Sequence, residues 1–132
     1  MSSATPRVML VEDEDAVRLL LRMTLELGAV EIVEAPDGET ALELCGEDPP
    51  EVVFLDWSMP GMSGIEVCRT LRSEPATRDT AIVMLTAFSS DAEREQGLAA
   101  GADDYIAKPF SPETLLEKLR GLLGSDALLG QA

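Results

Sequence analysis

The fold of this 132-residue chain is decided by the segment Val52-Val53-Phe54-Leu55-Asp56. Its four apolar residues are β-branched, aromatic or leucine, which is typical of a strand buried on both faces of a parallel sheet. Asp56 is the first charge after this run and marks the carboxyl end of the strand. Because ligands of open parallel sheets bind at that edge, we expect Asp56 to lie in a functional site.

Outward from this segment, an apolar run and an amphipathic stretch alternate five times, which is typical of βα units around a parallel sheet. The second apolar run alternates with acidic residues and therefore predicts an edge strand. Right-handed crossovers, with helices on both faces, predict an α/β fold with a doubly wound five-stranded parallel sheet. The expected strand order is 2-1-3-4-5, as in flavodoxin-like folds. The predicted strands are residues 8–11, 30–34, 52–55, 81–85 and 104–107.

Length and charge limit the classes of protein that fit. One domain is expected over residues 7–123, between an N-terminal tail (1–6) and a segment (124–132) that is either a C-terminal tail or the start of a linker. The formal net charge of −15 predicts no direct nucleic-acid partner and no membrane surface as partner. Because we find neither a bilayer-spanning apolar stretch nor a secretory signal in the sequence, a cytoplasmic location is expected.

Cysteine and histidine usage narrows the chemistry. The chain contains no histidine, which excludes a Ser-His-Asp or Cys-His site, a histidine-ligated metal and an internal phosphohistidine. Cys45 and Cys68 lack the spacing of a redox pair or a zinc site and lie among apolar neighbours. Both are therefore predicted to be core residues.

The predicted strand order brings polar side chains together at one edge of the sheet. Glu12 and Asp13 follow the first strand, Asp56 the third, Thr86 the fourth and Lys108 the fifth. Crowded carboxylates repel unless a cation joins them, and a set of hard oxygen ligands favours Mg²⁺, with Mn²⁺ as the alternative. Asp56 is then the expected nucleophile, forming an acyl phosphate. Taken singly, the acidic pair fits a solvated helix start, Thr86 a helix cap and Lys108 a surface cation.

Five ordered motifs carry a resemblance to a known family. They are Leu10-Val11-Glu12-Asp13, Asp56 with Met59-Pro60-Gly61-Met62-x-Gly64, Thr86-Ala87, Gly101-Ala102-x-Asp104-Tyr105, and Lys108-Pro109-Phe110. Together they resemble the receiver domain of two-component response regulators, the chemotaxis-regulator-like family, over residues 7–123. A flavodoxin-like redox carrier does not fit, because acids replace a phosphate-binding loop after the first strand. A haloacid-dehalogenase-type phosphatase does not fit either, because Ser58 stands where its second acid is needed.

The resemblance implies a role for each site residue. Asp56 is the implied phospho-acceptor, and the implied Mg²⁺ ligands are Asp13, Asp56, the carbonyl of Ser58 and, through water, Glu12. Thr86 and Lys108 are implied to bind the phosphoryl oxygens. Tyr105 is implied to change rotamer with Thr86 on activation, and the bond before Pro109 is implied to be cis.

The resemblance also implies how such a domain works. A histidine kinase or phosphotransfer protein supplies the phosphoryl group, and the chain catalyses its own phosphorylation and the hydrolysis of the acyl phosphate without being a conventional enzyme. Residues 90–123 are the expected output face, for a target protein, an output domain or a phosphorylation-dependent homodimer. Ser58 and Phe88 flank the phosphoryl group, and bulky Phe88 is expected to slow hydrolysis by obstructing water. The alternative is a phosphorylation-independent interaction module on the same fold.

Overall fold

The computed structural model describes residues 5–87 and 91–123, in which strands and helices alternate along the chain. The strands are β1 (Arg7–Val11), β2 (Glu31–Ala35), β3 (Val52–Asp56), β4 (Ala81–Thr86) and β5 (Asp104–Ala107). The helices are α1 (Asp15–Leu25), α2 (Gly38–Glu47), α3 (Gly64–Ser73), α4 (Asp91–Ala100) and α5 (Pro112–Leu123).

The five strands form one parallel sheet in the order β2-β1-β3-β4-β5, which confirms the predicted α/β fold and strand order. All five residues of β3 are buried, as expected for a central strand with both faces covered. β2 lies at the edge and is mostly half-buried, in agreement with its acidic alternation. Between β1 and β3, Val11 pairs with Leu55, so the residues that follow both strands leave the sheet side by side.

Each face of the sheet is covered by its own hydrophobic core. Alternate strand residues such as Met9, Leu55 and Met84 pack with α2 and α3, and the others, such as Leu10 and Phe54, pack with α1 and α5. Cys45 and Cys68 are both buried in the first of these cores, as predicted. Burial raises the pKa of the Cys45 thiol to about 11 and also raises that of Cys68, so both thiols stay protonated.

The apolar surface of α1 is wider than the face that packs on the sheet. Leu21 and Leu25 are fully buried, whereas Leu19, Leu20 and Met23 are about half exposed. In the sequence, Leu20, Leu21 and Met23 recur at helical spacing, which is typical of one amphipathic helix. The pattern located the helix but did not separate the core-facing side from the exposed one.

Local signals fix several helix ends. Ser63 and Glu66 form a reciprocal capping box at the start of α3. At the start of α5, Ser111 accepts a hydrogen bond from the Thr114 amide (3.1 Å), and Pro112 occupies the first helical position, where its missing N–H costs no hydrogen bond. In the sequence, Ser90 and Glu93 have the spacing of a capping box for α4, but Ser90 lies outside the described residues. In the described part of the chain, α1 to α5 are all too short or too polar to cross a bilayer.

At the end of the sheet opposite to Asp56, Arg72 joins α3 to the segments around it. Its guanidinium donates hydrogen bonds to the carbonyls of Gly101 (2.8 Å) and Thr80 (2.6 Å) and to the Asp103 carboxylate (2.8 Å). The same carboxylate accepts the amide of Ile82 in β4 (2.8 Å). The start of β4 and the turn between α4 and β5 are thereby tied to one side chain.

Candidate functional site

Three carboxylates meet where β1 and β3 leave the sheet. Ligand oxygens of Glu12, Asp13 and Asp56 all lie within 4.8 Å of one another. The pairing of the two strands explains this, since it places the residues after Val11 beside the end of β3. Glu12 and Asp56 are buried and Asp13 is half-buried, so water screens their repulsion poorly. The structure therefore places residues 13 and 56 close enough for one cation to bridge them.

Lys108 supplies a positive charge to this group of carboxylates. Its Nζ lies 3.0 Å from Glu12 Oε1 and 3.2 Å from Asp56 Oδ1. The Lys108 amide donates to the carbonyl of Thr86 (2.7 Å), which continues the β4–β5 pairing and directs the side chain toward β3. The bond to Pro109 is cis, the isomer that the resemblance implies. One ammonium thus faces three carboxylates.

The imbalance of charge appears in the pKa values of the site. Burial, and secondly the charge of Glu12, raise the pKa of Asp56 to about 7, although Lys108 acts in the opposite direction. Burial alone would lower the pKa of Lys108, but its ion pairs with both carboxylates raise it above the usual value. Lys108 stays charged at neutral pH, and the ionised form of Asp56 is under-compensated.

The donor set of the site fits a hard divalent cation. Asp13 Oδ1 is buried and has no hydrogen-bond partner within residues 5–87 and 91–123. A buried carboxylate oxygen without a partner is costly, and a bound cation would compensate it. Because the grouped ligands are all carboxylate oxygens, the site suits Mg²⁺ or Mn²⁺ better than zinc or copper.

The loop after β3 keeps close to the site through small residues and backbone bonds. The Ser58 amide donates to Asp56 Oδ1 (3.3 Å), while the Ser58 residue itself is exposed. The Gly64 amide donates to the Trp57 carbonyl (3.0 Å). A Cβ at Gly64 would come within 2.4 Å of the Asp56 carbonyl oxygen, so a side chain there would displace the loop.

Thr86 and Tyr105 lie between the site and α4. Thr86 ends β4, is buried and pairs in register with Ala107. Tyr105 is half-buried, with the guanidinium carbon of Arg94 at 5.2 Å from the centre of its ring. Thr86, Tyr105 and Arg94 line one small cavity between α4 and β5. Phe88, the residue expected to control water access, lies outside the described residues.

Some contacts connect distant segments and could not be predicted from the sequence. Trp57 packs against α4 so closely that a Cβ at Gly97 would lie 2.9 Å from its ring. Neither this contact nor the Arg94–Tyr105 stacking has a local sequence signal, because each joins a helix to a strand end. Arg18, whose guanidinium binds the Glu12 carbonyl, was also missed. Arg18 follows Asp15 by three residues, a helical spacing typical of an ion pair, but that spacing does not indicate a bond to the Glu12 carbonyl.

Comparison with known proteins agrees with this geometry. The model of the response regulator receiver domain family matches residues 8–120, and the chain belongs to that family. Among curated relatives, the phosphate regulon transcriptional regulatory protein PhoB of Rhizobium meliloti is 44% identical over 118 residues, covering 89% of this chain and 52% of PhoB. The response regulator MprA of Mycolicibacterium vanbaalenii is 47% identical over 117 residues, covering 89% of this chain and 50% of MprA.

Solved structures show the same fold. The chemotaxis protein CheY4 of Vibrio cholerae superimposes with a TM-score of 0.87 at 34% identity, covering 91% of this chain and all of CheY4. A putative response regulator from Chloroflexus aurantiacus gives a TM-score of 0.86 at 32% identity, over 91% of this chain and 98% of that one.

One expectation from composition is wrong. The net charge of −15 predicted no direct nucleic-acid partner. The chain spans about half the length of the curated relatives it matches, and those named PhoB are transcriptional regulatory proteins. Relatives named as transcriptional regulators therefore contradict the use of this charge to exclude a nucleic-acid partner.

Proposed function

We propose that Asp56 accepts a phosphoryl group from a partner phosphohistidine and that the resulting charge switches the face formed by residues 90–123. The observation that carries the proposal is the meeting of three carboxylates with Lys108 at the carboxyl edge of the sheet. Membership of the receiver family supports it. The role of each residue below belongs to the same proposal.

In the proposed step, a carboxylate oxygen of Asp56 attacks phosphorus and forms an acyl phosphate. The N–P bond of the donor breaks, and its electron pair leaves with the imidazole nitrogen, which takes up a proton. Lys108 and the Thr86 hydroxyl bind phosphoryl oxygens, replacing contacts that water made to the donor. Hydrolysis then returns Asp56 to a carboxylate and releases inorganic phosphate.

The residues proposed to hold Mg²⁺, or alternatively Mn²⁺, are Asp13, Asp56, the Ser58 carbonyl and, through water, Glu12. When bound, the cation neutralises carboxylate charge and polarises the phosphoryl group. Asp13 Oδ1, which has no hydrogen-bond partner in the described ranges 5–87 and 91–123, and the raised pKa of Asp56 both support this assignment. The exposure of Ser58 leaves the loop open to an incoming donor.

The switch is proposed to run through Thr86 and Tyr105. A phosphoryl group brings about −1.5 to −2 of charge, which attracts the Thr86 hydroxyl toward Asp56. Tyr105 then moves toward the space beside it, and both residues line the same cavity. The output face changes because Arg94 of α4 stacks on the Tyr105 ring.

Three further assignments remain predictions. The domain is placed at residues 7–123, close to the family match at 8–120. A cytoplasmic location is the one expected for a receiver that takes its phosphoryl group from another signalling protein. Ser58 and Phe88 are proposed to set the lifetime of the acyl phosphate through water access.

The test is incubation of the chain with acetyl phosphate and Mg²⁺, followed by intact-mass measurement. We expect one added phosphoryl group, lost when Asp56 is replaced (Asp56→Asn) and absent when EDTA replaces Mg²⁺. Asp37→Asn is the matched control, because the Asp37 carboxylate caps α2 through the Thr40 amide and is not one of the three grouped carboxylates, so phosphorylation should be unchanged. An unmodified mass for the unaltered chain would favour the phosphorylation-independent interaction module.

A further inference from the structure

Arg18 on α1 contacts the segment that carries the acidic pair. Its guanidinium donates to the backbone carbonyl of Glu12 (2.7 Å), to the Asp15 carboxylate (2.7 Å) and to the Glu34 carboxylate (3.2 Å). Only 18% of the side chain is exposed. One planar group therefore joins the end of β1 to β2 and to the start of α1, with a rigid geometry that a lysine does not reproduce.

The bond to the Glu12 carbonyl acts on both acidic side chains. That oxygen belongs to the peptide unit between Glu12 and Asp13, which is planar, so holding it restricts the backbone on both sides. The Glu12 amide is held at the same time by the Ala35 carbonyl (3.2 Å). Asp13 Oδ1 is buried without a hydrogen-bond partner among the described residues. The backbone that carries this side chain is the one that Arg18 holds through the Glu12 carbonyl.

We propose that Arg18 is a positioning residue for the divalent-cation site: it fixes the Glu12–Asp13 peptide so that both carboxylates face the ion. The inference rests on the proposed function and deepens it. Arg18 touches neither a ligand oxygen of Asp13 nor the phosphoryl acceptor in the described structure, and it acts through the backbone. Groups behind the direct ligands of a metal act in this way, by fixing the orientation of the ligands.

The sign of the effect separates positioning from simple electrostatics. A guanidinium beside the site repels a cation, so a residue that acts only through its charge would weaken Mg²⁺ binding, and its removal would tighten it. A positioning residue gives the opposite result. Removal of Arg18 leaves the Glu12 carbonyl without this donor and lets the acidic pair relax away from the ion.

Arg22 provides a matched control on the same helix. It carries the same charge and pairs with the same carboxylate, that of Glu34, and also with Glu26. In the part of the chain that the structure describes, its hydrogen bonds do not reach the Glu12 carbonyl. Arg22→Met therefore removes one positive charge near β2 and leaves the hydrogen bond from Arg18 to the Glu12 carbonyl in place.

The experiment is a Mg²⁺ titration of the unaltered chain and the variants, followed by the fluorescence of Trp57, the neighbour of Asp56. We expect Arg18→Met to weaken Mg²⁺ binding about tenfold or more, as for other groups that orient metal ligands. The Mg²⁺ affinity of Arg18→Lys should lie between those of Arg18→Met and the unaltered chain, because an ammonium does not reproduce the fixed directions of the guanidinium donors. Arg22→Met should bind Mg²⁺ as tightly as the unaltered chain or slightly more tightly.

Phosphorylation by acetyl phosphate gives a second measurement on the same variants. At saturating Mg²⁺ the rate for Arg18→Met should return to within about threefold of the unaltered chain, since the reacting groups are intact. The Mg²⁺ concentration for half-maximal rate should rise with the dissociation constant. A merely structural role would lower the rate at every Mg²⁺ concentration, and that result would overturn the inference.

The remaining outcomes separate a failure of the inference from a failure of the proposed function. Mg²⁺ binding by Arg18→Met that equals or exceeds that of Arg22→Met overturns the inference but leaves the proposed function standing. Failure of the unaltered chain to bind Mg²⁺ overturns the proposed function and the inference together. If circular dichroism shows that Arg18→Met does not fold, the pair Arg18→Lys and Arg22→Lys is compared instead, and weaker binding is expected only for the first.

Discussion

Neutralising Asp56 should stabilise the metal-free protein. The carboxyl is 3% exposed and lies beside Glu12, and its pKa in the folded chain is about 7 against an ordinary 3.8. Folding therefore favours the protonated form. The stability that this form contributes is complete below about pH 4 and is lost as the pH rises through 7. At pH 8 the folded protein holds an ionised Asp56 at a cost that the unfolded chain does not have.

The size of this cost follows from the pKa difference. Each pKa unit corresponds to about 1.4 kcal/mol, which sets a ceiling of about 4 kcal/mol at pH 8. Asn keeps the oxygen that accepts the Lys108 and Ser58 hydrogen bonds and removes the charge. We expect Asp56→Asn to raise the free energy of unfolding by about 2 to 4 kcal/mol at pH 8, and by much less at pH 4.5.

Urea unfolding in EDTA, followed by circular dichroism at both pH values, measures this difference. Asp37→Asn is the control, because the pKa of Asp37 is lowered by hydrogen bonds from Thr40 and its neutralisation relieves no repulsion. Mg²⁺ should stabilise the unaltered chain more than Asp56→Asn. Equal stability of the two at pH 8 without metal would refute the view that Asp56 is an under-compensated charge.

Three further predictions concern substitutions at Gly97, Arg72 and Phe88. Gly97→Ala should destabilise the protein by about 1 kcal/mol and shift Trp57 fluorescence, because the new Cβ meets the indole ring; Gly46→Ala, in open space on α2, should instead stabilise by up to about 1 kcal/mol. Arg72→Met should lower the free energy of unfolding by about 2 to 4 kcal/mol, since the backbone carbonyls it binds lose their donor; thermal unfolding measures this. Phe88→Glu should shorten the lifetime of the acyl phosphate, measured by intact mass over time; an unchanged or longer lifetime would contradict the predicted control of water access.

The fold and the gathering of site residues were predictable because they follow from strand patterns. The apolar run of residues 52–55 in β3 is typical of a central strand, and the acidic alternation of β2 is typical of an edge strand. Once the order is fixed, the residue after each strand must reach the same edge. The convergence of the site residues could therefore be predicted without knowledge of tertiary contacts; these residues are Glu12, Asp13, Asp56 and Lys108.

The features that the sequence does not predict depend on packing between helices and strand ends. The exposed leucines of α1 share a helical pattern with its buried ones, and only their packing against the sheet separates the two groups. The contact of Trp57 with Gly97 joins residues 40 positions apart. The bond from Arg18 to the Glu12 carbonyl uses a backbone acceptor, which side-chain pairing rules do not detect.

The Arg72 contacts hold the chain at the end of α4, a helix of the proposed output face. The carbonyl of Gly101, just after α4, is held by Arg72, and Gly101 has φ +116°, with a Cβ position only 2.6 Å from the Arg72 side chain. The last turn of the helix is thus anchored, while its first turn follows Thr86 at the opposite edge of the sheet. In the proposed switch, a displacement that begins at that edge is expected to rotate α4 about its last turn. Distance probes near Asp91 would then record a large excursion, and probes near Ala100 almost none.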